Sequence, residues 1–396
     1  VTIVEQEIHT PTKPPLYRDV RVLRWLFQFA VVGVVGYALY RLYDNAITNL
    51  EDSGLPTGFD FLDNQARFAI PGLEDSADYS VRKAYWSGYL NTLRVIVIGI
   101  PLCTALGVII GIMRLSDNLL VRAVGTIYVE LFRNIPVLLW IFITYLVIIL
   151  LNLPQITDDV TPLDRFVISN RGIGIPWFNP DANLLTFVGF IGIGLIAVVG
   201  VNVWRRKVNE QTGQPSRGGL YGFIAFLIAL AIAHFAAGNA LSYEPSVIAE
   251  NGRQIEGGMN IFPPYVGLTI ALSLYTASHV AEIVRGSIQA IHKGQGEAAQ
   301  AVALSTFQRY RFIILPQAFR IMIPPLASQY LNITKNSSLA VAISYVEITS
   351  IFQRVSNNAT PALQALIILM FCYLTFSLGI SLIANFFNRR LSLETR

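Results

Sequence analysis

Ser278, His279, Glu282 and Arg285 stand close together in and just beyond an otherwise apolar run, Phe262 to Ile283. On a helix Glu282 and Arg285 are three apart and can pair, while His279 lies deeper. Ionisable side chains in such a run are costly to bury, so each calls for a reason: lining a polar path, or pinning one helix to another. Glu130 and Arg133 repeat the spacing near the start of a second apolar run. Lys335-Asn336-Ser337-Ser338 open a third, where hydroxyls and an amide can line a path or tie helices together. These groups suit the holding or passage of a polar cargo. Bond-breaking chemistry has no such footing. The chain carries no G-x-x-x-x-G-K-[ST] phosphate cradle, and His9, His234, His279 and His292 are scattered. No metal-ligand spacing and no Ser–His–Asp arrangement is present. Cys103 and Cys372 both fall in apolar runs and read as packing residues rather than a disulfide. No catalytic residue, no metal and no cofactor is expected in this chain.

The elements that hold these residues are membrane spans. The chain is 53% hydrophobic and only 14% charged, the composition of an integral membrane protein. A span takes about 20 apolar residues. Candidates are Trp25 to Tyr43, Gly88 to Met113, Thr126 to Leu151, Leu184 to Trp204, Leu220 to Leu241, Phe262 to Ile283, a shorter and more polar Asn336 to Phe352, and Ala362 to Phe387. Together they make about eight crossings of an all-α membrane protein. Pro136, inside the third, is expected to bend it. The first run follows a polar, basic stretch and is too long for a signal-peptide core, so no cleavable signal is expected.

Charge sets the orientation. Basic residues gather on one side at every crossing: Lys13, Arg18, Arg21 and Arg24; Arg114 and Arg122; Arg205 to Arg217; Arg285 to Lys335; Arg389 and Arg390. The loops on the other side are acidic, with Glu51, Asp52, Asp60, Asp63, Glu74, Asp75 and Asp78, then Asp158, Asp159, Asp164 and Asp181, then Glu244, Glu250 and Glu256. The positive-inside rule puts both termini in the cytoplasm. The basic clusters are short and flank spans, which topology explains without nucleic acid. Glu347 is expected near the external end, facing the mouth.

One cytoplasmic stretch differs from its apolar surroundings. Gly294 to Ser305 is polar and small-residued, and Ala298, Ala299, Ala301 and Ala303 are strong helix formers of little bulk. Glu297 is expected near the start of a short helix, where its charge suits the macrodipole. Ser305 is expected to cap a second short helix from Thr306, ended by Pro316. Two short helices and a tight turn make a knob onto which a partner's backbone can close.

This stretch resembles the EAA loop of ABC-importer permeases, whose pattern is Glu-Ala-Ala, three residues, Gly, nine residues, Ile-x-Leu-Pro. Glu297-Ala298-Ala299, Ile313, Leu315 and Pro316 fall on it, and Ala303 replaces the family's glycine. A left-handed turn there would strain Ala303. Asn91-Thr92-Leu93, Tyr128-Val129-Glu130-Leu131-Phe132-Arg133-Asn134-Ile135-Pro136, Ala281-Glu282-Ile283-Val284-Arg285-Gly286 and Lys335-Asn336-Ser337-Ser338-Leu339 are similar to segments of polar and general L-amino-acid ABC permeases.

The resemblance implies a type I importer permease of the bacterial inner membrane. Its domains would be a cytoplasmic tail (1–24), an extra N-terminal helix with an acidic periplasmic loop (25–87) and two core helices (88–151). An inserted region with two extra helices (152–261), the remaining core helices with the EAA loop at 286–335 (262–388) and a tail (389–396) would follow. That is a core of about five helices plus three additions, with the added spans packed on the outside of the core. Implied partners are ABC ATPase subunits carrying ATP and Mg2+, a second, different permease, a periplasmic amino-acid-binding protein, an amino-acid substrate and membrane lipid. Gly294, Glu297, Ala298, Ala299, Ala303, Leu315 and Pro316 would meet the ATPase. Ser278, His279, Glu282, Asn336, Ser337 and Arg133 are the candidates for a substrate pathway. An ion-coupled secondary amino-acid transporter is the alternative, though neither its mid-membrane carboxylates nor inverted repeats stand out.

Overall fold

A hydrocarbon environment leaves backbone polar groups no partner but the chain itself, so apolar runs of this length fold as helices. The computed structural model describes residues 19–54, 57–70, 76–156, 166–178, 183–212, 218–249, 252, 254–357 and 362–391. Lys13, Arg18, Glu74, Asp75, Asp158, Asp159, Asp164, Asp181, Arg217 and Glu250 lie outside the described residues. The helices are α1 (Val20–Asp52), α2 (Val81–Met113), α3 (Leu119–Asn134), α4 (Val137–Phe142, continued as a π-helical stretch to Leu150), α5 (Leu184–Thr212) and α6 (Gly218–Ala236). After them come α7 (Pro263–Gln289), α8 (Lys293–Ala301), α9 (Thr306–Arg309), α10 (Leu315–Asn336), α11 (Ile348–Asn357) and α12 (Ala362–Leu391).

Among the described residues six helices, α1, α2, α5, α6, α7 and α12, are long and apolar enough to cross a membrane, and α3 with α4 makes a seventh if the bent pair is one span. At 22 residues α10 also has the length for a crossing. Arg320, Lys335, Pro324 and Pro325 dilute its apolar character.

Two expectations about spans are corrected. Pro136 does not merely bend a span. The residue before a proline avoids the α region, and Ile135 is extended at φ −104° and ψ 132°. α3 therefore stops at Asn134, and α4 leaves at 106° to it. Nor is Asn336 to Phe352 one helix. The hydroxyls of Ser337 and Ser338 donate back to the Thr334 and Lys335 carbonyls at 2.7 Å each, competing with regular helix. The chain tightens into a 3-10 stretch over Ser337–Ile343, and Ser344 turns left-handed at φ +61°. Helix resumes only at α11. The long element here is α10, upstream, which runs from Leu315 to Asn336.

The centre of the bundle is α2 against α7. A Cβ at Gly107 would lie 2.5 Å from Val280, and one at Gly111 would lie 2.8 Å from the Ala281 carbonyl oxygen. Small residues four apart let two backbones close together in a membrane. Val95, Leu268, Leu272 and Ile333 fill the core beside this seam.

The added helices do not pack on that core as expected. Among the described residues α1 has no buried side chain, and α5 and α6 pack chiefly on each other. Their apolar side chains face outward, where lipid can cover them. The α5–α6 pair stands on β-structure: β1 (Val167–Ser169), β2 (Gly172–Ile175), β3 (Trp177–Phe178), β4 (Tyr243–Glu244), β5 (Val247–Ile248), β6 (Ile255–Glu256) and β7 (Met259–Ile261). β2 lies between β1 and β7, with Ile173 opposite Ile261, and β3 pairs with β4. Two segments read from sequence only as acidic loops are thus zipped together, because the antiparallel α5 and α6 bring their ends side by side. The Asn183 N–H donates to the Ala237 carbonyl at 3.0 Å.

Candidate coupling site and polar core

The knob is built by two capping devices around one turn. The His292 side chain caps α8, accepting from the Gly294 N–H at 3.1 Å. A Cβ at Gly294 would come 3.0 Å from His292 Nδ1. At the other end Leu304 N–H donates to the Ala299 carbonyl at 3.1 Å and Ala303 N–H to Gln300 at 2.9 Å. This is the Schellman pattern, whose pivot favours glycine because it must be left-handed. The pivot is Ala303, at φ +52°. Ser305 then caps α9 in a reciprocal box with Gln308: the Gln308 N–H donates to Ser305 Oγ at 3.3 Å, and the Ser305 N–H to Gln308 Oε1 at 2.9 Å.

Two placements differ from expectation. Glu297 is the middle residue of α8 rather than part of its first turn, because the helix is begun by the His292 cap and not by Gly294. Pro316 does not end a helix; it sits in the first turn of α10, where its fixed φ is compatible with the helix. The turn ahead of it, Tyr310–Ile314, widens to π-helix and joins α9 to α10 without a break.

Glu297 and Ala298 are exposed, while Ala299 is buried beneath them. Beside them stand Val302, Phe307 and Phe312, 68%, 69% and 63% exposed. Arg311 lies 5.8 Å from the Phe307 ring and 5.6 Å from that of Phe312. Aromatic side chains with arginine are the composition of interface hot spots. Sequence reasoning passed over these residues, although three large apolar side chains in a stretch outside the spans were a visible signal.

The polar residues of α7 are largely committed to the chain itself. Ser278 Oγ is buried and donates to the Tyr275 carbonyl at 2.6 Å. His279 Nδ1 lies 3.2 Å from the same carbonyl, and its ring rests 4.8 Å from that of Tyr275. Arg133 is exposed near the end of α3. Glu282 is gripped from two sides, by Arg285 on its own helix and by Arg114 at the end of α2. Arg285 also donates to Gln289 at 2.7 Å. The carboxylate therefore clasps α2 to α7, and Arg114 is the partner that sequence spacing did not offer. Glu130 accepts from Asn134 Nδ2 at 3.2 Å. Ser337 is buried and bonded, and Asn336 closes α10 half-buried. Of the candidate pathway groups the structure brings Ser278 and His279 together, with Ser278 Oγ 3.3 Å from His279 Nδ1; Asn336 and Ser337 stand apart at the end of α10.

Glu347, expected at an open mouth, is fully buried. It precedes α11 and caps it, accepting the Ser350 N–H at 3.0 Å. Thr92 of α2 and Tyr373 of α12 also reach its carboxylate, at 3.4 and 3.3 Å. Among the described residues no group of three or more His, Cys, Asp and Glu is placed to hold a metal ion.

Residues 104–393 match the family model described as the binding-protein-dependent transport system inner membrane component. The chain belongs to this family. The permease is 40% identical over 384 residues to YhdX of Escherichia coli (strain K12), a proposed amino-acid ABC transporter permease, with 95% of each chain covered. It is 37% identical to the general L-amino acid transport system permease protein AapQ of Rhizobium johnstonii, over 92% of this chain and 91% of that one. It is 33% identical to the glutamate/glutamine/aspartate/asparagine transport system permease protein BztB of Rhodobacter capsulatus, over 96% of each. These matches span the α5–α6 insertion as well as the core, and the fold is that of a helical membrane permease of the type I kind.

Proposed function

We propose that this permease is one half of the membrane pathway of an ABC importer that carries amino acids into the cytoplasm of a bacterium across its inner membrane. Partner ATPase subunits bind and hydrolyse ATP with Mg2+, a periplasmic amino-acid-binding protein delivers the cargo, and a second, different permease completes the pathway. Both termini lie in the cytoplasm. The observation that carries the reading is the α8–α9 knob, which presents Glu297, Ala298, Phe307 and Phe312 to solvent beside a turn held by two caps. Gly294, Ala299, Leu315 and Pro316 shape the knob, and exposed Ala303 stands at its turn. Closure of the ATPase pair moves two such knobs as rigid bodies, and the helices joined to them follow. The cargo's opposite charges are met on the way by polar groups of α3, α7 and α10, His279 and exposed Arg133 among them.

The test compares the wild type with Glu297→Arg for co-purification of an ATPase subunit and for vanadate-sensitive uptake of labelled amino acids. A complex that forms in the wild type and is lost in the variant supports the reading. Uptake that ignores vanadate and collapses with the ion gradient would replace it with ion-coupled transport.

A further inference from the structure

A groove of about 700 Å3 opens between the first turns of α2 and the middle of α12. α2 and α7 run parallel, with Gly99 beside Ser273 and Gly111 beside Val284. The start of α2 is therefore at the opposite end of the bundle from α8. Arg82 and Lys83 form the groove's rim, and Tyr85, Trp86, Phe371 and Cys372 line its wall. Trp86 and Phe371 are 60% and 64% exposed, and the apolar face continues along α12 through Leu374 and Leu378. Such a face is solvated by acyl chains.

One feature sets the groove apart from an ordinary lipid-facing seam. Its rim is cationic although it adjoins acidic segments. Asp63 pairs with Arg82 at 2.8 Å, but the arginine side chain remains 67% exposed. Lys83 rests its ammonium 3.4 Å over the Tyr79 ring, a contact that leaves its hydrogen-bond donors free for an anion. Below the rim Tyr85 is 5% exposed, its hydroxyl buried out of reach of the groove.

We propose that this groove is a binding site for one anionic phospholipid. The phosphate lies against Arg82 and Lys83, and an acyl chain covers Trp86, Phe371 and Cys372.

The test purifies the full assembly in mild detergent and measures retained lipid by native mass spectrometry. Membranes of mixed phosphatidylglycerol and phosphatidylethanolamine supply the probes. The wild type should retain phosphatidylglycerol in preference to phosphatidylethanolamine. Arg82→Ala with Lys83→Ala should reduce that retention by roughly tenfold, the factor that about 1.4 kcal/mol confers. Both rim residues are exposed, so the folded assembly should survive the change. Cys103 is fully buried, so a thiol cross-linker reads Cys372 alone. Equal retention of the two lipids, retention unchanged in the double variant, or a cross-link from Cys372 to α1 or to a second polypeptide would overturn the proposal.

Discussion

The Leu304 N–H reaches the Ala299 carbonyl at 3.1 Å across a residue, Ala303, held at φ +52°. That hydrogen bond ends α8 and aims α9. An L-residue with a Cβ is strained in this conformation by about 1–2 kcal/mol, whereas glycine is not. Ala303→Gly should therefore stiffen the knob. Hydrogen exchange at the Ala303 and Leu304 amides should slow roughly fivefold or more, and Ala303→Val should speed it. If exchange in the glycine variant were unchanged or faster, the left-handed turn would not be limiting the knob.

Glycines on two helices should respond to the same substitution with opposite signs. Gly107→Ala puts a methyl 2.5 Å from Val280 and 2.9 Å from the Ala277 carbonyl. Both atoms are held by the buried α7, so the helices must part. A loss of about 1–3 kcal/mol is expected, with Gly107→Leu leaving little folded protein. At Gly379, on α12, a Cβ meets nothing within 4 Å. Gly379→Ala should stabilise by up to about 1 kcal/mol through helix propensity. Thermal unfolding of both variants in one detergent checks the pair. Equal shifts would mean that the α2–α7 seam tolerates separation.

Much of this architecture was legible because membrane spans obey a coarse rule. Length and apolarity alone placed α1, α2, α5, α6, α7 and α12. Local chemistry was legible too: Ser305 with Gln308 three residues on is a capping box that can be read directly. What escaped depends on partners distant in sequence. Glu282 was paired from spacing with Arg285, but Arg114 lies 168 residues away. The β2–β7 pairing joins segments separated by a whole helical hairpin, and a single strand of Gly172-Ile173-Gly174-Ile175 announces little by itself. Asn336 to Phe352 misled because apolar Leu339 to Ile343 suggests a span, while Ser337, Ser338 and Ser344 break the helix.

Arg114 and Arg285 share one carboxylate, and their side chains are only 12% and 28% exposed. Removing that carboxylate leaves two guanidinium groups facing each other with little water. Glu282→Gln is expected to cost about 1–3 kcal/mol. Arg114→Gln should cost less, since Arg285 still answers Glu282. The double variant should lose less than the sum of the two, with a coupling of about 0.5 kcal/mol or more. A double-mutant cycle by thermal unfolding measures this. Strict additivity would show that the α2–α7 clasp contributes nothing beyond its separate contacts.

Glu347 makes the strongest demand on its surroundings. It is fully buried, caps α11 through Ser350, and is approached by Thr92 from α2 and Tyr373 from α12. The cap needs an acceptor, and an amide oxygen supplies one as well as a carboxylate does. The hydroxyls of Thr92 and Tyr373 are not stranded if Glu347 is lost: Thr92 also donates to the Gly88 carbonyl at 3.0 Å, and Tyr373 lies 3.0 Å from Thr349 Oγ1. The cost of truncation should thus come mainly from the Ser350 N–H and from the vacated volume. Glu347→Ala is expected to destabilise by about 2–4 kcal/mol, and Glu347→Gln by much less. The readout is unfolding of the assembled protein together with amide exchange at Ser350 and Ile351. Should alanine and glutamine behave alike, the role of Glu347 would lie in its charge, and the capping account of α11 would fail.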